Sequence, residues 1–292
     1  MGSTHVEAEI ASQPTAWTRA ADLIPRVSGF LPEQGERVAV VGCGTSWFIA
    51  MAYAVLREQS GQGETDAFAG SEFPIGRRYD RVLAISRSGT TTEIIDLLGR
   101  LDAARTTLVT AVPAAPAASL ADDVVALEFA DEQSVVQTRF ATTTLALLRA
   151  HLGEDVPALA DQCRTALTIP VAELLDAQQC TFVGLGWGVG LAYEAALKTR
   201  EAAQFWAESY PAMDYRHGPI AIAQPGRLVW SLGDAPHGLA EQVALTGARF
   251  VHHDLDPLAA LVVAQRFAVA LAISRGLDPD HPRSLTRSVI LA

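Results

Sequence analysis

The run Ser86-Arg87-Ser88-Gly89-Thr90-Thr91 puts four hydroxyls and one glycine into six residues. It follows the apolar stretch Val82–Ile85 and precedes a helical pattern that begins near Thr92. Amides at a helix N-terminus point outward, the helix dipole favours an anion there, and side-chain hydroxyls add donors. The pattern predicts a phosphate cradle; an ordinary Ser/Thr cap needs one hydroxyl, not four. No Gly-Lys-Ser/Thr follows, so the loop is not a P-loop.

Gly42-Cys43-Gly44-Thr45-Ser46-Trp47 likewise joins a strand pattern to a helical one. The spacing begins as a dinucleotide-binding fingerprint, but Trp47 stands where the third glycine belongs. A bulky side chain there blocks close packing of helix on strand. Glu64 lies at about the right distance to hold a ribose, so nicotinamide binding is weakened rather than eliminated. The preferred reading has the Thr45 and Ser46 hydroxyls and the first amides of the helix hold an anion or a sugar hydroxyl. Cys43 reads as a small packing residue, since no histidine is near it in sequence.

Of 22 basic residues only Lys198 is a lysine. Codon bias toward arginine explains the scarcity, and under such a bias a retained lysine marks a place where a compact ammonium is wanted. Glu194, Lys198 and Glu201 fall at i, i+4 and i+7, on one helix face. A solvated stripe of ion pairs is one reading, worth a few tenths of a kcal/mol. The alanine-rich neighbours Ala192, Ala195, Ala196, Ala202 and Ala203 instead suggest a helix packed on several sides, where charges need a purpose. His217, before Gly218-Pro219, sits on a turn; it is either a surface residue or an imidazole projecting into a cleft. His252-His253 is an adjacent pair with opposed side-chain directions, so no metal site is expected.

The elements that must carry these residues are short apolar runs alternating with helical patterns. Strands are expected at 37–41, 81–85, 107–110 and 124–127, with helices near 45–58, 91–101 and 140–151. The order restarts with a strand at 180–183, a helix near 189–205, a strand at 228–230 and a helix near 257–275. Such alternation indicates βαβ units and parallel sheets covered on both faces. Val41-Gly42-x-Gly44 matches Val183-Gly184-x-Gly186, 142 residues on, so two related α/β units in tandem are expected. The expected division is a helical segment over 1–30, a phosphate-binding unit over 31–155 and a catalytic unit over 156–292.

A formal charge of −11 argues against nucleic acid or an anionic membrane as partner. With 49% hydrophobic and 19% charged residues the chain is neither disordered nor fibrous. Three cysteines, without metal-ligand spacing, and an N-terminus lacking a signal-peptide pattern point to a cytoplasmic protein. No uninterrupted apolar run reaches about 18 residues.

Residues 192–201 (Ala-Tyr-Glu-Ala-Ala-Leu-Lys-Thr-Arg-Glu), continuing through Glu208-Ser209-Tyr210 to Arg216-His217-Gly218-Pro219, resemble the isomerase half of glucosamine-6-phosphate synthase. So do the two hydroxyl-bearing loops and the closing segment Pro282-Arg283-Ser284-Leu285-Thr286-Arg287-Ser288-Val289. The chain is thus similar to the sugar isomerase (SIS) domain family, with two tandem units and no glutaminase domain expected.

The resemblance implies flavodoxin-like units of three α/β/α layers and an active site completed by a second subunit. It implies that Ser46, Ser86, Arg87, Ser88 and Thr91 hold a sugar phosphate, with Cys43, Gly44, Thr45, Val135 and Arg287 in the same binding set. It implies that Glu201 moves a proton between C1 and C2 through a cis-enediol, beside Lys198. His217 would open the sugar ring from the partner subunit of a homodimer. Neither cofactor nor metal is called for. The family synthase has a lysine, which forms an imine, where this chain has Arg287; a guanidinium is no such nucleophile. Gln137-Thr138-Arg139 also departs from a Ser-Thr-Lys of the synthase, and Arg87 replaces an uncharged residue. The Arg287 change favours an aldose–ketose isomerase that deaminates an amino-sugar 6-phosphate over one that transfers amide nitrogen. The alternatives are a phosphosugar sensor without catalysis and a deglycase acting on an amino-acid–sugar phosphate adduct.

Overall fold

The computed structural model of the protein describes residues 4–101 and 105–291; residues 1–3, 102–104 and 292 lie outside them. The strands are β1 Val38–Gly42, β2 Thr65–Ala69, β3 Arg81–Ile85, β4 Arg105–Thr110, β5 Asp123–Ala126, β6 Gln179–Gly184, β7 Ala207–Pro211, β8 Arg227–Leu232 and β9 Arg249–His252. The α-helices are α1 His5–Ala11, α2 Gln13–Ala21, α3 Ile24–Val27, α4 Thr45–Gln59, α5 Thr92–Leu98, α6 Arg139–His151, α7 Val156–Ala166, α8 Gly188–Ala203, α9 Leu239–Leu245 and α10 Pro257–Ser274. They gather into two units that interleave along the chain. The first holds residues 15–132, 139–157 and 286–291, the second residues 4–14, 133–138 and 158–285.

In the first unit five parallel strands lie in the order β2-β1-β3-β4-β5. Every residue of β1 and β3 is buried, as a central strand covered on both faces requires. Ala39, Val41, Val82, Ala84 and Leu108 pack against Ile94, Leu97 and Leu98 of α5. The alternate residues Val38, Val40 and Leu83 point to the other face, where α4 and α6 lie. The 2-1-3-4-5 order is the flavodoxin-like one, whose ligand crevice lies where strand order reverses, at the carboxyl ends of β1 and β3.

The second unit repeats the plan with four parallel strands, β7-β6-β8-β9. Val183 and Val229 pack with Leu239 and Val243 of α9 on one face. On the other, Phe182 and Phe267 each lie 5.6 Å from the Trp230 ring, joining β6, β8 and α10. Helix α10 has the length and composition to cross a membrane, although Gln265-Arg266 interrupts it; here it is a core helix, with 72% buried.

The repeated glycine motif has a backbone counterpart. Gly44 and Gly186 both adopt positive φ, 54° and 52°. A Cβ on Gly42 would stand 2.5 Å from the Ser46 carbonyl carbon, and one on Gly184 2.3 Å from the Gly188 oxygen. Each strand can therefore run directly into the first turn of its helix only without a side chain at that point. Helix α8 stops two residues short of the expected Phe205, because Gln204 turns into the left-handed region at φ 48° and caps it.

Candidate functional site

In the first unit both hydroxyl-bearing loops leave the sheet at the reversal of strand order. β1 and β3 are in register from Val38↔Arg81 to Val41↔Ala84, so the loops that follow Gly42 and Ile85 emerge side by side. Thr45, Ser46, Ser86 and Ser88 are all under 8% exposed, a recessed floor with the half-buried Thr90 and Thr91 at its rim. Ser86 Oγ accepts from the Gly89 amide at 3.2 Å, and Ser88 Oγ accepts from the Thr90 amide at 3.2 Å. Thr91 is the N-cap residue of α5, yet its hydroxyl makes no capping hydrogen bond. That separates it from an ordinary structural cap.

The closing segment lies on the same rim. Thr90 Oγ1 is 2.9 Å from Ser288 Oγ, the Thr92 amide donates to the Val289 carbonyl, and the Leu291 amide donates to Thr92 Oγ1 at 2.9 Å. Arg287 reaches the Asp131 carboxylate and the Glu132 carbonyl. Arg87 is 3% exposed; its guanidinium donates to the Arg287 carbonyl at 3.0 Å and lies 3.6 Å from the Glu132 carboxylate. Glu132, which local sequence patterns do not single out, also accepts from the Arg139 and Phe140 amides at 2.7 and 3.2 Å. The signal that could have marked it is an acid just ahead of a helix start.

Cys43 follows β1 and packs against Gly70. Burial raises its thiol pKa, and the Glu93 carboxylate raises it further. Its thiol is therefore held protonated, fitting a packing residue and not a nucleophile.

In the second unit the Glu194–Lys198–Glu201 stripe is not a solvated face. Glu194 is 0% and Lys198 1% exposed in a helix otherwise rich in alanine. Lys198 Nζ lies 3.6 Å from Glu194 Oε1 and 2.5 Å from Glu201 Oε2, and only the Glu201 side chain, 19% exposed, meets solvent. A buried cation beside a partly open carboxylate suits proton transfer at a carbon where negative charge develops.

His217 ends the turn Asp214–His217 and is exposed, ahead of Gly218 at φ 139°. Its neighbour Arg216 anchors the turn, donating to Gln242 Oε1 at 2.7 Å and to the His237 carbonyl at 2.6 Å. Val135 is tied into the second unit through its amide, 3.1 Å from the Asp280 carbonyl. Among the described residues no cluster of three or more His, Cys, Asp or Glu is arranged to hold a metal.

No family model matches the chain. In an alignment of 308 positions that covers 92% of its length, it is 24% identical to the glutamine–fructose-6-phosphate aminotransferase (isomerizing) of Sulfolobus acidocaldarius. The chain spans about half the length of the curated relatives it matches. Its fold superposes on the glucosamine-6-phosphate deaminase of Thermotoga maritima with a TM-score of 0.83 at 23% identity, covering 99% of this chain and 100% of that one. The tagatose-6-phosphate ketose/aldose isomerase of Escherichia coli gives 0.78 at 20% identity, covering 96% and 98%. The chain is a homologue of the sugar isomerase (SIS) domain of the glutamine–fructose-6-phosphate aminotransferases, and its fold is that of the phosphosugar isomerases.

Proposed function

We propose that the protein converts a sugar 6-phosphate by moving a proton between C1 and C2, and that its substrate is an amino sugar from which it releases ammonia. The observation that carries this reading is the closed pairing of Lys198 with Glu201, which leaves one carboxylate edge open beside a buried ammonium. In this scheme the phosphate rests on the Ser86–Thr91 loop with Thr45 and Ser46, and Glu201 is the base. His217, supplied by the partner of a homodimer in the cytoplasm, moves the proton of the ring oxygen.

For an open-chain 2-amino aldose, Glu201 takes the C2 proton and returns it to C1, while a proton leaves the amine nitrogen and one reaches the C1 oxygen, so that the C1 aldehyde becomes an alcohol and the C2 amine a C2 imine. Water adds to C2, ammonia leaves, and a ketose phosphate remains. A plain aldose passes through the cis-enediol by the same transfer, with Lys198 stabilising the developing oxyanion. Arg287 supports hydrolysis over transfer of nitrogen through an enzyme imine, because a guanidinium stays protonated and is held by Asp131 and Glu132. The similarity of fold to a protein described as a glucosamine-6-phosphate deaminase agrees with this reading.

The test is incubation with glucosamine 6-phosphate, with ammonia and fructose 6-phosphate measured together. Equal release of both supports deamination, and aldose–ketose exchange without ammonia supports isomerisation alone. Tight binding without product across a phosphosugar panel overturns the enzyme assignment in favour of a sensor. Turnover confined to an amino-acid–sugar phosphate adduct would replace it with a deglycase.

A further inference from the structure

A second concavity, of about 700 Å³, opens on the first unit at the amino-terminal ends of β1 and β3. The hydroxyl loops leave the carboxyl ends of the same strands, so five residues of strand, roughly 16 Å, lie between the two. A ligand in one cannot reach the other.

Its lining is unusual for a chain of formal charge −11. Arg37, Arg77, Arg78 and Arg100 face it, against one carboxylate, Asp80, which accepts from the Arg37 amide at 2.8 Å. Arg37 pairs with Glu64 at 3.2 Å and Arg77 with Asp66 at 3.4 Å, both with exposed side chains. Among the described residues neither Arg78 nor Arg100 has an acidic partner. Asp96 stands one turn before Arg100 and, with Glu93, lines a smaller adjoining hollow, yet it forms no ion pair with Arg100. The back wall is aromatic: Phe73 and Tyr79 are both buried, 5.8 Å apart, and the Arg37 guanidinium sits over the Tyr79 ring at 5.2 Å.

Guanidinium forks match phosphate oxygens in a bidentate way, and a hollow of this size lies within the range of small-molecule sites. Arginines needed only for solubility would be spread over the acidic surface near carboxylates, whereas here two that have no acidic partner among the described residues converge on a hollow with an apolar wall. The geometry points to a binding site for a compact polyanion of diphosphate type that carries a flat apolar group. Arg78 and Arg100 are its charge contacts and the Phe73–Tyr79 pair its apolar wall. The inference is independent of the proposed reaction and concerns a different end of the sheet.

Calorimetric titration of the full chain with inorganic diphosphate and with ADP, at about 0.15 M ionic strength so that long-range attraction is screened, tests it. The expected result is saturable binding of both, tighter for ADP, with affinity falling at least tenfold in the Arg78→Ala/Arg100→Ala variant and unchanged in Thr91→Ala. An unchanged melting temperature in the double variant shows that the loss is not unfolding. Absence of binding at millimolar concentration overturns the site, as does equal affinity in the double variant. Loss of binding in Thr91→Ala would assign the anion to the hydroxyl loop instead. Equal affinity for diphosphate and ADP removes the apolar wall from the proposal.

Discussion

Lys198 Nζ lies 2.5 Å from Glu201 Oε2, one turn further along the same helix, in a position 1% exposed. Removing the ammonium takes the counter-charge from Glu194, which is fully buried. Lys198→Met should therefore cost about 3 kcal/mol in urea unfolding. Lys198→Arg keeps the charge but must fit a planar fork into a closed slot. It should recover part of the stability while leaving kcat at least a hundredfold down. Full recovery of turnover by arginine would show that position 198 needs only a positive charge.

Glu201→Gln keeps the shape of the side chain and removes the base. Turnover should fall by about a thousandfold, within the range of a lost general base. Binding of the phosphosugar, read by calorimetry with the inactive variant, should change less than threefold. Near-normal rates on the true substrate would remove Glu201 from the mechanism.

Thr91→Ala separates cradle from cap. Loss of a working cap costs about 1 kcal/mol. Because the Thr91 hydroxyl makes no capping bond, stability should move by less than about 0.5 kcal/mol, as for an ordinary surface change. KM for the sugar phosphate should rise about tenfold, the worth of a hydrogen bond to a charged group. A melting temperature that falls while KM stays fixed would return Thr91 to a structural role.

The paired glycines give a test of the tandem plan. Gly42→Ala and Gly184→Ala each drive a methyl into the backbone of the residue four positions on. Each should destabilise by about 2 kcal/mol or more through overpacking. Gly42→Ala should in addition weaken phosphosugar binding, since Ser46 is the residue displaced. A mild effect at both positions would mean that strand and helix separate easily there.

Glu36 carries a pH dependence unconnected with catalysis. Burial opposes its charge, but Arg81, fully buried and hydrogen-bonded to it at 2.8 and 3.1 Å, outweighs that and holds the carboxyl below its usual value. A carboxyl lowered on folding adds stability above its unfolded pKa and loses it as pH falls through the folded one. Glu36→Gln should cost about 1 kcal/mol at neutral pH, a figure kept small because the carboxylate partly meets water. The gap from the parent should close between about pH 5 and 3 in unfolding titrations. A gap that persists at pH 3 would show that packing, not charge, is lost.

The centres of both sheets were legible because β1, β3, β6 and β8 are buried along nearly their whole length and each carries a short, mainly apolar run. Of the four edge strands, β5 was read from its valines, whereas β2, β7 and β9, with sequences Thr-Asp-Ala-Phe-Ala, Ala-Glu-Ser-Tyr-Pro and Arg-Phe-Val-His, are short and partly exposed. They carry no run to read, since an edge strand is fixed by its neighbour rather than by its own pattern. The hydroxyl loop and the Glu194–Lys198–Glu201 face were legible because each is local. The Arg87–Glu132 pair joins residues 45 positions apart, and nothing near either residue announces the other. The arginine-lined hollow was hidden for the same reason: Arg37, Arg77, Arg78 and Arg100 meet only once the strands are laid side by side.

A chain with one lysine, sealed inside α8, offers chemistry a single side-chain amine to label, apart only from the α-amino group. Reductive methylation with isotopically labelled formaldehyde would place one side-chain resonance, separate in pH titration from that of the α-amine, at the proposed reaction centre. Its rate of appearance would measure how often that helix opens to water, and its shift on adding a phosphosugar would report, at one atom, whether the ligand has arrived.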